Sequence, residues 1–329
     1  MQVAKERIVL RACAPERDLP AILGVWVACR EGGGVDRASV VEPYPTPREV
    51  EAAMAAMADP RRDQVLAEHE GSVVGHATVG WWREGDAAGG TAVYLHRGRV
   101  VPHWWGRGVG TALVRWAEER IAALVAAHGT AARACFAANA SDAEPGAVEL
   151  LTGLGYRRVF GVTEFEWTGP ASGRTPPPAA LPGGAELRPV TADHYRPVWE
   201  MVRAAYADTP HVGGWDFGAF AAGAEPAHWQ VAWEGGEVVG AALCVAGREG
   251  GPAEVRELSV RKDRRRRGLG RALLLHGLHA LTERGERGVR LFTGSANPYR
   301  SWELYESVGF RRLAEFGRYR KAFGPAAPA

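Results

Sequence analysis

Apolar and polar positions follow two rhythms along this chain, and the order of the rhythms repeats. In "DQVLAEHEGSVVGHATVGWW" and again in "HWQVAWEGGEVVGAALCVAG", short apolar runs flank a Gly-containing turn. The alternation of Val231 and Trp233, followed by the apolar run from Val238, predicts antiparallel strands paired around Gly235-Gly236. A strand with a Leu-Arg pair opens each half, at Leu10-Arg11 and at Leu187-Arg188. Helical stretches follow it, "PREVEAAMAAMAD" in one half and "HYRPVWEMVRAAYAD" in the other. Later in the second half "AEVRELSV" reads as a strand, and Leu269, Ala272, Leu273, Leu278 and Leu281 form the apolar side of a long helix. Strand "GVRLFT", helix "PYRSWELYES" and a strand around Phe310 to Tyr319 close that half. A central hairpin interrupts the alternation of strands and helices, so each half is mixed α/β, and the shared order predicts an internal duplication.

Between the halves lies "TGPASGRTPPPAALPGGAE", Thr168 to Glu186, poorly suited to a helix or a ladder. It predicts an N-terminal domain over 1–168, a Pro/Gly/Ala-rich linker over 169–185 and a C-terminal domain over 186–329. A chain of 329 residues is long enough for two such cores. Hydrophobic content of 46% and charged content of 24% are those of a soluble globular protein. A formal net charge of +2 argues against a polyanionic partner across the whole surface. Cys13, Cys29, Cys135 and Cys244 are scattered, without a CxxC pair or metal spacing, which points to a reduced, cytoplasmic setting and no metal. No apolar run of signal-peptide or membrane-spanning length is present, so no membrane partner is expected.

One stretch stands out against this balance: "RRRRGLGRALL", residues 264 to 274, between a strand and a helix. Glycine lets backbone amides approach a ligand, the helix start supplies unpaired N–H groups, and arginines add charge-assisted contacts to phosphate oxygens. The turn lacks the Gly-Lys-Ser/Thr ending of a Walker loop and the third glycine of a dinucleotide fingerprint. On the residues alone a pyrophosphate cradle, a plain structural turn and a nucleic-acid patch stay open, the last disfavoured because no basic stripe with interleaved aromatics extends it.

"SVRKDRRRRGLGRALL" resembles the coenzyme-A-binding motif of the GNAT superfamily of N-acetyltransferases, with Arg265, Gly268 and Gly270 at its fixed positions. "NPYRSWELYESVGF" resembles that family's C-terminal motif through Asn297, Leu304-Tyr305 and Gly309-Phe310. The resemblance covers residues 186 to 323 and, through a fainter copy, 6 to 167. It implies two tandem domains, each with a splayed, mostly antiparallel central sheet flanked by helices. It also implies acetyl-CoA-dependent acetylation of an amine by direct attack in a ternary complex. Leu258, Ser259 and Val260 would pair with the pantetheine arm. The amides from Arg266 through Arg267, Gly268, Leu269 and Gly270 to Arg271 would hold the pyrophosphate, with Arg265 and Asn297 completing the site. Tyr305 would protonate the departing thiolate.

A base must also take a proton from the attacking amine, because alkylamines are protonated near neutral pH. Glu254 and Glu257 are three apart on "AEVRELSV", so regular alternation puts them on opposite faces and only one in the cleft. The resemblance implies carboxylates near both positions, and Glu257 is the one favoured; the bland alternative is a surface ion pair with Arg256 or Arg188. Asn297 precedes Pro298, which alone fits an N-cap with Pro at N1. Tyr305 is spaced to pack against Trp302 and Val308.

The first half keeps Gly106, Arg107, Gly108, Val109, Gly110 and Thr111 as a possible coenzyme A turn, but Trp105 stands where the motif has Arg or Gln. Asn139 and Gly155 match Asn297 and Gly309, yet lie 16 rather than 12 residues apart, and the acid position falls on Leu151. The expectation is a degenerate N-terminal domain and chemistry in the C-terminal one, on a small-molecule amine, in a monomer or homodimer. The other readings are a protein or peptide N-acetyltransferase and a non-catalytic coenzyme-A-binding regulatory protein.

Overall fold

The computed structural model describes residues 7–84, 90–169, 177–207, 216–248, 251–295, 297 and 299–324. Two compact units divide the chain: residues up to Gly161 together with those from Ala314 onward, and Val162–Leu313.

In the first unit β1 (Val9–Ala12), α1 (Pro15–Gly32) and α2 (Pro47–Ala55) precede a hairpin of β2 (Gln64–His69) and β3 (Ser72–Glu84). Then follow β4 (Thr91–Val100), α3 (Val109–His128), β5 (Ala134–Ser141), α4 (Pro145–Gly153) and the start of β6 (Arg157–Trp167). Thr46 caps α2 reciprocally with Glu49, which is why the helix starts at Pro47. The second unit holds the end of β6, β7 (Glu186–Leu187), α5 (Tyr195–Ala205), α6 (Phe217–Ala222), and the hairpin of β8 (Gln230–Glu234) and β9 (Glu237–Val245). It continues through β10 (Ala253–Val260), α7 (Leu269–Glu283), β11 (Val289–Gly294) and α8 (Ser301–Ser307) to the start of β12 (Arg311–Ala322).

The duplication is visible in the ladders. The strands run β1-β2-β3-β4-β5-β12 in one unit and β7-β8-β9-β10-β11-β6 in the other, antiparallel except for β4–β5 and β10–β11. Each closing strand therefore pairs with a strand of the other half of the sequence. Phe316–Ala322 ladders with Cys135–Ser141, and Val162–Trp167 with Val289–Gly294. Part of the Pro-rich stretch also packs: Ala179, Leu181 and Ala185 lie against the second unit's core, and the Ala179 carbonyl bonds His276 Nε2.

The second unit's sheet has two different faces. Val255, Val289, Leu291, Phe165 and Trp167 point into the core under α7. Gly277 permits close approach of that helix, since a Cβ there would lie 2.6 Å from Cys244 Sγ. On the other face α5 packs Val198, Met201 and Val202 against Ala241 and Leu243. The parallel pair β10–β11 is joined only at Ala253–Val289 and Glu254–Arg290. Beyond it, among the described residues, the β10 edge toward β11 carries no ladder, which is the splay expected of each sheet.

Candidate active site

Both turns between the central strand and the following helix share one backbone conformation. Arg266 and Gly268 have φ of +62° and +88°, and Gly106 and Gly108, 160 positions earlier, have +72° and +86°. Helices α7 and α3 begin directly after Gly268 and Gly108, and neither glycine provides a side-chain cap for the first N–H groups. The four consecutive arginines divide their work. Arg264 pairs with Glu234 and Asp263. Arg265 donates through Nε to the Val260 carbonyl at 3.0 Å and through Nη2 to the Ala205 carbonyl at 2.8 Å, and lies 4.3 Å from the Tyr299 ring. Arg266 and Arg267 are exposed beside the turn, as is Arg271 on the first turn of α7. In the first unit the Trp105 indole N–H donates to the Val100 carbonyl at 2.7 Å, the same tie that Arg265 makes to Val260. Trp105 thus keeps the turn's shape without its charge.

Glu257 is 5% exposed, and its Oε1 accepts from the Tyr206 hydroxyl at 2.6 Å and from Ser259 Oγ at 2.5 Å. Burial pushes its carboxyl up to about 7, against the opposing pull of hydrogen bonds from Ser259, Tyr206 and the Leu258 backbone. Glu254 is also raised by burial, and it hydrogen-bonds Arg256 at 3.3 Å. The expectation of opposite faces fails. Glu254 pairs with Val245 and Glu257 with Leu243, because a β-bulge between Val255 and Glu257 inserts one extra residue. The two carboxylates therefore share a face, and the surface ion pair belongs to Glu254 alone; Arg188 pairs with Glu186.

Tyr305, 6% exposed, rises from α8 between Phe165 and Phe310, with ring centroids 5.7 and 6.2 Å away. Burial first, then the charge on Glu257, raises its hydroxyl to about 12, opposed by hydrogen bonds from Ser301 and Thr293. Thr293 and Ser301 are themselves hydrogen-bonded at 3.0 Å, and Asn297 Nδ2 donates to both, at 3.2 and 2.9 Å. Asn297 is not an N-cap: α8 begins at Ser301, and Asn297 Oδ1 instead accepts from the Tyr299 amide at 2.9 Å. Pro298 lies outside the described residues.

The first unit keeps the frame and loses these groups. The amide of Tyr156 bonds the Leu151 carbonyl as that of Phe310 bonds the Tyr305 carbonyl, so Leu151 occupies the place of Tyr305. Strand β4 runs without a bulge against β3, and the exposed Arg97 stands where β10 has Glu257. Asn139 is not the counterpart of Asn297. It sits inside β5, opposite Arg318, and donates to Glu42 at 3.1 Å, which explains the mismatched spacing.

Tyr206, Thr293 and Ser301 escape a reading of the sequence. Tyr206 carries the one legible signal: it continues the apolar face Val198, Val202 of α5 with a polar tip. The hydroxyl pair gives none, since two small polar residues eight positions apart carry no pattern.

Comparison with known proteins agrees with this geometry. The model of the acetyltransferase (GNAT) family matches residues 35–144 and 192–310. A mycothiol acetyltransferase of Thermobispora bispora is 32% identical over 54% of this chain, and that match spans 62% of the relative, less than two thirds of its length. A mycothiol acetyltransferase of Geodermatophilus obscurus is 30% identical over 79% of this chain and 82% of its own. The solved structure of a GCN5-related N-acetyltransferase from Sphaerobacter thermophilus superposes with a TM-score of 0.74 at 25% identity, covering 99% of each chain. No helix among the described residues is long and apolar enough to cross a membrane, and no group of three or more His, Cys, Asp or Glu among them could hold a metal ion.

Proposed function

This chain belongs to the acetyltransferase (GNAT) family, and we propose that it moves the acetyl group of acetyl-CoA to the primary amine of a small molecule, with the chemistry in the second unit. The observation that carries this reading is that Glu257 and Tyr305 are both buried in the second unit, with burial raising the carboxyl to about 7 and the phenol to about 12, whereas Arg97 and Leu151 stand at their places in the first unit. Groups whose surroundings separate their proton affinities are suited to opposite roles, one accepting a proton and one keeping it.

The residues fit acetyl-CoA. An uncapped helix start behind Gly268, with Arg266, Arg267 and Arg271 exposed around it, suits a pyrophosphate. The unladdered edge at Leu258–Val260 offers backbone groups to an amide-bearing arm. Bound there, acetyl-CoA would supply the acetyl thioester. Glu257 takes one proton from the acceptor's ammonium, which makes the nitrogen nucleophilic. Tyr305 retains its proton across the working pH range and offers it to the leaving sulfur. The second proton lost by the nitrogen balances the one Tyr305 gives up. Asn297, through Thr293 and Ser301, holds the phenol in place. The first unit's turn, Gly106 to Thr111, shares the phosphate-binding shape but has neither proton-transfer group.

The names of the relatives make a mycothiol-type acceptor the first compound to test. Thiol release from acetyl-CoA across an amine panel, with products identified by mass spectrometry, should show turnover on a compact amine. Acetylation of folded proteins alone, with none of the panel used, overturns the reading.

A further inference from the structure

Two hydroxyls converge on one oxygen of Glu257, and they come from different elements. Ser259 stands two residues along the same strand, whereas Tyr206 follows the last residue of α5. Both bond Oε1. We propose that Tyr206 is a positioning residue for Glu257: with Ser259 it occupies Oε1, so that Oε2 is the oxygen that receives the acceptor's proton. This rests on the reading of Glu257 as proton acceptor.

The step balances simply. The acceptor's N–H bond breaks with its electron pair left on nitrogen, an O–H bond forms at Oε2, and neutral amine faces neutral Glu257. Both donors stay on Oε1 in either state, so no hydroxyl has to turn during the transfer. The arrangement is braced from outside. One guanidinium, that of Arg265, ties the Ala205 carbonyl at the end of α5 to the Val260 carbonyl at the end of β10. Those are the elements that bring Tyr206 and Glu257 together. Arg265 thus also links the turn assigned to phosphate with the placement of the base.

Other charges leave Glu257 to these two hydroxyls and the Leu258 backbone. On β10, Glu254 is paired with Arg256. On β11, Arg290 is paired with Glu164 and Glu166. From β9, the facing residue is the apolar Leu243. From α8, Tyr305 is the titratable neighbour, and it stays protonated in the working range.

The test is the pH profile of kcat/KM in the full-length chain. Tyr206→Phe keeps the ring and removes a donor that favours the ionised carboxylate. The acid limb should therefore move to higher pH, by about one pH unit for one hydrogen bond to a charged group. Ser259→Ala should move it the same way, the double variant further, and each rate should recover toward wild type above the shifted limb. Loss of a merely structural contact would lower the rate equally at every pH. Glu257→Gln separates the role of the base from the role of its positioning residues. If it keeps the wild-type limb, Glu257 is not the base and the underlying reading fails. If it abolishes the limb while Tyr206→Phe and Ser259→Ala leave it unmoved, only the positioning role fails. Ser259→Ala decides alone should Tyr206→Phe not fold, since it removes a donor from the same oxygen.

Discussion

Glu257→Gln should make the protein slower and, at alkaline pH, more stable. The amide keeps an oxygen at the place of Oε1, so the Tyr206 and Ser259 hydroxyls retain their acceptor, while the oxygen proposed to accept the proton is gone. Turnover should fall by about 10²–10⁴-fold, the scale of one positioned acid or base. The stability effect follows from burial. The carboxyl sits near 7 in the folded chain against 4.5 ordinarily, so its ionised form is the costly one in the fold. Below pH 4.5 both states hold the proton and nothing is lost. Between 4.5 and 7 the unfolded chain releases it while the folded chain does not, and stability falls as pH rises. Above 7 the loss is complete, at ~1.4 kcal/mol per pH unit of difference, or about 3 kcal/mol at most. Glu257→Gln carries no such cost. Its urea midpoint should match wild type near pH 4.5 and exceed it at pH 8. A variant that is less stable at both pH values, or that turns over at the wild-type rate, refutes the reasoning.

Tyr305→Phe preserves the packing with Phe165 and Phe310 and leaves Thr293 and Ser301 bonded to each other, so the fold should hold while steady-state turnover drops about 10²–10⁴-fold. Leu151→Ala in the first unit removes no proton donor and should act on melting temperature rather than on chemistry. At Gly270 a Cβ would meet only Val260 and Leu304, at 3.5 and 3.7 Å, so Gly270→Asp should fold. Its carboxylate would repel the phosphates, and calorimetry should show coenzyme A binding lost at that site. Ending the chain after Leu313 removes a full ladder on β5 and the buried Phe316 and Tyr319. Each such aromatic is worth about 3–5 kcal/mol, against a total stability of about 5–15. Hydrogen exchange should show the first unit unfolded, and protection equal to the full chain there would overturn the strand exchange.

Much of the frame was legible because it is local. "AEVRELSV" is strand β10 residue for residue, the hairpin turns fall where glycine requires them, and the long helix begins directly after Gly268 of its turn. That Leu151 stands in the first half where Tyr305 stands in the second was legible too, by counting back from Gly155. What the sequence could not show depends on contacts between distant segments. The bulge that brings Glu254 and Glu257 to one face is a property of the ladder with β9, not of alternation within β10. The likeness of Trp105 to Arg265 appears only when their different side chains are seen donating to equivalent carbonyls. Tyr206 and Glu257 are 51 residues apart, and no spacing rule joins them. The exchange of closing strands is likewise invisible from within either half, because a strand's apolar pattern states which face it buries and not which edge it joins. Propensity, turn chemistry and motif spacing act over a few residues and set the elements. Pairing register, burial of charge and the convergence of hydroxyls on one carboxylate arise only once those elements meet, and they decide the chemistry.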